Sequence, residues 1–136
     1  MLEVTAPPFE VPEVTDATPS FARTYARNLL IKESVVSEKT IDAIVLIVSE
    51  LVTNVVRHAG GRVRLEIELH DGGVIVVRCT DSSTTQTDPA DSYGTERESG
   101  YGLLLVSRLA HSVAEIPLPD GKTIVAIVDP TRLAKA

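Results

Sequence analysis

Glu50, Asn54 and His58 follow one another at intervals of four residues. On an α-helix each such step turns the side chain by roughly 40° about the axis. One helix would therefore present a carboxylate, an amide and an imidazole along a single polar strip. A carboxylate one turn from an amide oxygen suits a hard cation such as Mg²⁺, which takes oxygen ligands and shares its shell with water and phosphate. A glutamate beside that cation can orient or deprotonate an attacking hydroxyl or water. The same spacing also describes an ordinary solvated helix face, so it leaves both readings open. His58 reads as a packing residue.

Two further features point the same way. Gly100 and Gly102 follow a long polar stretch and directly precede an apolar helical pattern beginning at Leu103. Glycines at a helix start let a phosphate approach the backbone, where free N–H groups and the helix dipole favour anions. Asp81 follows an expected strand, Val74–Cys79. A carboxylate at a strand end can accept a hydrogen bond from the exocyclic amine of adenine. Each feature has a plainer reading, a turn glycine or a turn-forming aspartate. Together they describe one nucleotide pocket.

The elements that would carry these residues can be read from periodicity. Residues 1–19 hold four prolines, Pro7, Pro8, Pro12 and Pro19, which predicts an extended segment with one edge strand near Phe9–Val11. Ser20 caps an expected helix from Phe21 to about Glu33. Ser37 caps a longer one, whose apolar stripe runs from Ile41 through Val56 and ends at Gly60-Gly61. Val63, Leu65, Ile67 and Leu69 alternate with charged residues, the mark of a half-buried strand. Asp71-Gly72-Gly73 then turns the chain into Val74–Cys79 as its hairpin partner. Residues 82–99 are almost without aliphatic side chains and read as a lid. A third helix, Leu103 to about His111, precedes a closing hairpin: strands Val113–Pro117 and Thr123–Asp129 around the turn Pro119-Asp120-Gly121-Lys122. The predicted fold is α/β, a two-layer sandwich with helices on one face of a mostly antiparallel sheet, and a single domain over 1–136.

Composition narrows the function classes. The chain has 136 residues, 43% of them hydrophobic, enough for one core. No apolar run approaches the roughly eighteen residues a membrane span needs. The N-terminus carries no signal-peptide pattern, and the single cysteine, Cys79, fits a reducing compartment; the expected location is the cytoplasm. Thirteen basic and nineteen acidic side chains give a formal charge of −6. Arg62 and Arg64 alternate with Glu66 and Glu68 rather than forming a cationic patch, which argues against direct nucleic-acid binding.

Glu50-Leu51-Val52-Thr53-Asn54-Val55-Val56-Arg57-His58-Ala59 resembles the N-box of the GHKL, or histidine-kinase-like, ATPases. The match is closest to their short bacterial branch of anti-sigma-factor serine kinases. Cys79-Thr80-Asp81 resembles the start of that family's G1 box. Glu98-Ser99-Gly100-Tyr101-Gly102-Leu103-Leu104-Leu105-Val106 resembles its G2 box, and Gly121-Lys122-Thr123 its final Gly-Lys-Thr. The resemblance covers about Pro19 to Asp129. It implies the Bergerat ATP-binding fold, with ATP and Mg²⁺ as cofactors. Asn54 would hold Mg²⁺, Glu50 would be the catalytic general base, and Asp81 would read adenine. Gly100 and Gly102 would admit the phosphates, residues 82–99 would close as the ATP lid, and Thr123 would support the adenine end.

One departure stands out. The G1 box usually continues from its aspartate with glycines, whereas this chain reads Asp81-Ser82-Ser83-Thr84-Thr85. Branched threonines lack glycine's backbone freedom, which predicts weak nucleotide affinity. The resemblance implies an anti-sigma factor that phosphorylates a serine or threonine on an antagonist protein, with a sigma factor, that antagonist and a second copy of itself as partners. No helical hairpin bearing a phosphoacceptor histidine precedes the motifs, so a complete histidine kinase is not expected. The alternative is a non-catalytic protein-binding module of the same fold. A small-molecule ATPase is the weakest reading, since nothing in the sequence shapes a second substrate pocket.

Overall fold

The computed structural model describes residues 3–33, 35, 37–82 and 98–133. The body of the expected lid, 83–97, lies outside the described residues. The elements run β1 (Glu3–Thr5), β2 (Phe9–Val11), α1 (Thr18–Lys32), α2 (Glu38–His58), β3 (Val63–His70), β4 (Ile75–Asp81), α3 (Glu98–Leu109), β5 (Ser112–Leu118), β6 (Gly121–Val128) and α4 (Pro130–Leu133). A short 3₁₀ turn, Asp71–Gly73, joins β3 to β4.

The long helix α2 forms for the reasons its sequence suggests. Ser37 is extended, and its hydroxyl accepts from the Thr40 N–H. Glu38 in the first turn and Arg57 and His58 in the last complement the helix dipole. At the far end Gly60 and Gly61 take φ of 67° and 71°, and the Gly60 N–H closes onto the Val55 carbonyl. The first helix begins earlier than Ser20 predicts. Pro19 sits in its first turn, where no intrahelical donor is needed, and the Thr18 hydroxyl accepts from the Thr15 N–H. The strip residue His58, read from sequence as a packing residue, is exposed instead, because it lies on the solvent side of the last turn.

The sheet has strand order β1-β3-β4-β6-β5, with β2 also on β3, and every pairing is antiparallel. Both N-terminal strands lie along the outer side of β3, separated by Ala6-Pro7-Pro8. Prolines cannot donate to a ladder, so the pairing breaks there. The Pro7 carbonyl accepts instead from the Tyr25 hydroxyl at 2.6 Å, and the Tyr25 ring packs on Phe9 with centroids 5.7 Å apart.

Alternation sorts each strand into two faces. Val63, Leu65 and Ile67 of β3, Val77 and Cys79 of β4, and Ile124, Ala126 and Val128 of β6 are buried beneath the helices. They meet Ile44, Ile47, Val48, Leu51 and Val52 of α2 and, beyond them, Ala22, Ala26 and Leu30 of α1 and Val106 of α3. The opposite face holds side chains such as Arg64, Glu66, Glu68, Arg78 and Thr80, none of them fully buried. There Arg78 meets Glu68 at 2.6 Å, and Arg64 meets Glu10 at 3.2 Å. Helices on one face of an antiparallel sheet make the two-layer α/β fold expected from sequence.

Two boundaries differ from the sequence reading in ways that bear on the site. The third helix starts at Glu98, so Gly100 and Gly102 lie inside its first turns rather than before it. The penalty of glycine in a helix is small enough for the flanking residues to outweigh. The closing hairpin has only Pro119-Asp120 as its loop, so Gly121 and Lys122 belong to β6 and not to the turn. There β6 approaches the end of β4 so closely that a Cβ on Gly121 would collide with the Asp81 carbonyl.

That collision separates two kinds of glycine. Gly121→Ala should lose about 2–3 kcal/mol through overpacking. Gly60→Ala has open space around it and should lose only the left-handed backbone cost, about 1–2 kcal/mol. Urea denaturation of both variants measures the difference; equal losses would mean that β6 moves off β4 without cost.

Candidate nucleotide site

The polar strip of α2 survives in the structure. Glu50 and Asn54 are half-buried, one turn apart, on a helix whose Leu51, Val52 and Val55 at this level are core. Contacts to α1 fix which way they turn. Arg23 of α1 donates to the Ser49 hydroxyl at 3.0 Å, and Arg27 meets Asp42 at 3.2 Å. Successive residues rotate by about 100°, so Glu50 and Asn54 stand on the flank turned away from α1. α3, with Gly100 and Gly102 near its start, is another helix that packs against α2.

Asp81 closes β4 on the helix-covered face, in line with Ile75, Val77 and Cys79. Its direct partner across the ladder is Lys122 of β6. The Lys122 ammonium stands 3.7 Å from the Asp81 carboxylate, and the two side chains are only 11% and 4% exposed. The sequence reading missed this pair, because it left Lys122 in a turn. The signal was available in the hairpin length: a two-residue loop after Leu118 makes Lys122 the second residue of its strand and turns it to the face of Ile124 and Ala126.

The same alternation places Thr123 on the opposite face of the sheet. Its hydroxyl lies 2.8 Å from that of Thr80, its ladder partner. Thr123 therefore ties β4 to β6 from behind, and the side chain that meets Asp81 is Lys122. At the strand end, the Ser82 hydroxyl accepts from the Arg62 N–H at 3.2 Å. Cys79 lies two residues before Asp81 on the same face. Burial pushes its thiol up to about 12; the Asp81 carboxylate adds to the rise and the Lys122 ammonium opposes it. Such a thiol is a packing group and not a nucleophile.

The residues fit Mg·ATP in part. Glu50 and Asn54 supply the oxygen donors a hard cation takes, and α3 carries its two glycines near its start. The carboxylate that would meet the base already has a cation beside it.

Two measurements test these assignments. Asp81→Ala removes the carboxylate beside a buried ammonium and should cost about 3–5 kcal/mol, most of it recovered in the Asp81→Ala, Lys122→Met double variant. A double variant destabilised by the sum of Asp81→Ala and Lys122→Met alone would show that the pair does not interact. In the folded protein Cys79 should resist thiol reagents at neutral pH and react only on unfolding; rapid labelling under native conditions would contradict its burial.

Comparison with solved structures finds the same fold in proteins of low sequence identity. The RsbU and RsbW domains of Rv1364c from Mycobacterium tuberculosis match at 18% identity with a TM-score of 0.67, over 90% of this chain and 32% of that one. The SiaB–SiaC complex from Pseudomonas aeruginosa matches at 16% identity and 0.68, over 91% and 89%. The histidine kinase domain of a blue-light activated kinase from Erythrobacter litoralis matches at 20% identity and 0.57, over 71% and 48%. The chain thus spans about a third of the solved Mycobacterium tuberculosis chain and nearly all of the matched Pseudomonas one. Comparison with curated protein sequences finds no match. The family model described as "Histidine kinase-like ATPase domain" matches residues 12–128, which take in α2, Asp81, the start of α3 and the β4–β6 ladder. The chain belongs to the histidine kinase-like ATPase domain family.

Proposed function

We propose that this chain is a cytoplasmic regulator that binds Mg·ATP and transfers phosphate to a serine or threonine of an antagonist protein, holding a sigma factor inactive in its other state. The observation that carries this reading is the pair Glu50 and Asn54, half-buried and one turn apart on the flank of α2 away from α1. The likeness in fold to RsbW-type domains and to the SiaB–SiaC complex supports a protein partner. A homodimer belongs to the same proposal.

Each residue has a separate task. Asn54 would hold Mg²⁺, and Gly100 and Gly102 in the first turns of α3 would admit the phosphates. When bound, the cation supplies neutralising charge for the triphosphate. Glu50 takes the proton of the attacking hydroxyl, directly or through one water. Asp81 accepts from the base, and Thr123 holds the β4–β6 ladder in register beside it.

A second reading, a protein-binding module that has lost catalysis, is favoured by one observation: Lys122 occupies the neighbourhood of the Asp81 carboxylate. Phosphoryl-transfer assays separate the two. Glu50→Gln should keep the fold and nucleotide affinity while slowing transfer by about two to four orders of magnitude. Asn54→Ala should lose both binding and transfer. Wild-type protein that binds Mg·ATP, sequesters a sigma factor and never transfers phosphate would establish the binding module instead.

A further inference from the structure

The open face of the sheet is not uniform. Toward β3 it carries charge, on Glu10, Arg64, Glu66, Glu68, His70 and Arg78. Those charges are matched among themselves. Glu68 meets Arg78 at 2.6 Å and His70 at 3.2 Å, while Arg64 meets Glu10 at 3.2 Å and Glu66 at 3.6 Å. Toward β5 the face turns apolar. Alternation from the Thr80–Thr123 pair puts Val125 and Ile127 of β6, Val76 of β4, and Ala114, Ile116 and Leu118 of β5 on this side. Ile116 is 46% exposed and Leu118 39%. The Thr80 and Thr123 hydroxyls beside them bond each other. Among the described residues the helices all lie on the other face, and none covers this patch.

Other large apolar side chains are exposed, but singly. Phe21 and Ile31 stand at opposite ends of α1, about 15 Å apart along its axis. Leu46 lies between Asp42 and Ser49, both engaged by arginines of α1. Scattered residues of that kind need no partner, whereas a contiguous apolar patch marks an interaction surface.

Charge decides what fits that surface. The chain carries a formal −6. On the open face the three carboxylates stand against two guanidiniums and an imidazole, so most of the excess lies elsewhere. A partner recruited by opposite charge would be drawn to that excess. An apolar patch with a self-neutralised margin instead fits the same surface on a second copy, related by a two-fold axis. With the axis near β6, the apolar part of each copy covers that of the other. The charged rows of β3 then fall at the rim, still paired within their own chain, and no charge is buried without its partner.

We propose that the β4–β6–β5 part of the open sheet face is an isologous interface joining two copies of this chain, with Ile116 and Leu118 as its anchors. This rests on the homodimer included in the reading above and specifies its surface. Three strands about 4.8 Å apart, seven residues long at about 3.3 Å each, give a footprint of roughly 300 Å² per copy. With side-chain relief that is about 1,000 Å² for the pair, the lower limit of a specific interface. The dimer is therefore reversible, with a Kd in the micromolar range.

Sedimentation equilibrium of the full chain without nucleotide tests it. Between about 1 and 500 µM, wild type should pass from 14.6 kDa toward twice that mass. Ile116→Lys combined with Leu118→Lys should weaken the dimer at least about tenfold. Should lysines disturb the strand, Ile116→Thr with Leu118→Thr keeps a strand-forming residue type at Ile116, introduces one at Leu118, and carries the same expectation. Phe21→Lys, on the helical layer, should leave association unchanged. Raising NaCl from about 0.05 to 0.5 M should alter it less than about threefold, because the rim charges are paired within each copy. A dimer unmoved by the β5 variants, lost with Phe21→Lys or dissociated by salt overturns this surface and leaves the homodimer standing. A chain that stays monomeric throughout overturns both, and leaves the nucleotide-binding reading untouched because no nucleotide is present.

Discussion

The candidate base end of this domain depends on how closely β6 approaches the last residue of β4. Gly121 has no side chain, and that absence lets the β6 backbone lie against the Asp81 carbonyl. The approach sets the register, and the register sets everything beside it. Lys122 falls opposite Asp81 on the helix side; Thr123 falls opposite Thr80 on the other. A strand one residue out of step would exchange these partners and place a lysine on the open face.

The helical layer answers a different demand. α2 has to satisfy α1, α3 and the sheet at once, which leaves it a narrow polar margin. Glu50 and Asn54 occupy that margin. They are held by a helix whose opposite flank is fixed through Ser49 and Asp42 to arginines of α1. A reacting group gains precision from such a mounting, because the element carrying it is itself anchored by packing. The candidate site thus draws its residues from two separate parts of the fold, a packed helix and the centre of a sheet.

Much of this architecture was legible in the residues. The apolar stripe from Ile41 to Val56 located α2, period-two alternation located β3, and Ser37 and Gly60-Gly61 marked the helix ends. Local signals failed where tertiary pairing decided the outcome. Ser20 looks like a helix start, yet Pro19 and Thr18 begin the turn, because a threonine hydroxyl three residues on can satisfy the Thr15 N–H. Pro119-Asp120-Gly121-Lys122 looks like a four-residue turn, yet Gly121 extends the strand because only it fits against Asp81. The α4 turn was not foreseen; its start depends on Asp129, whose carboxylate accepts from both the Thr131 N–H and the Thr131 hydroxyl. The most consequential residue, Lys122, was hidden by that one misplaced turn and not by any weakness in its own signal.

The prolines of the N-terminal segment were read only as strand breakers, but their position matters for how copies of this protein behave in a crowded solution. A sheet grows into aggregates through an uninterrupted row of unpaired amides along an edge strand. Here the outer side of β3 is covered by β1 and β2, whose own outer edge is broken by Pro7-Pro8. At the other end β5 is the edge strand, and Pro117 removes an amide from its row. Each margin of the sheet therefore carries a gap that a second chain cannot bridge with a regular ladder, a safeguard against runaway self-association.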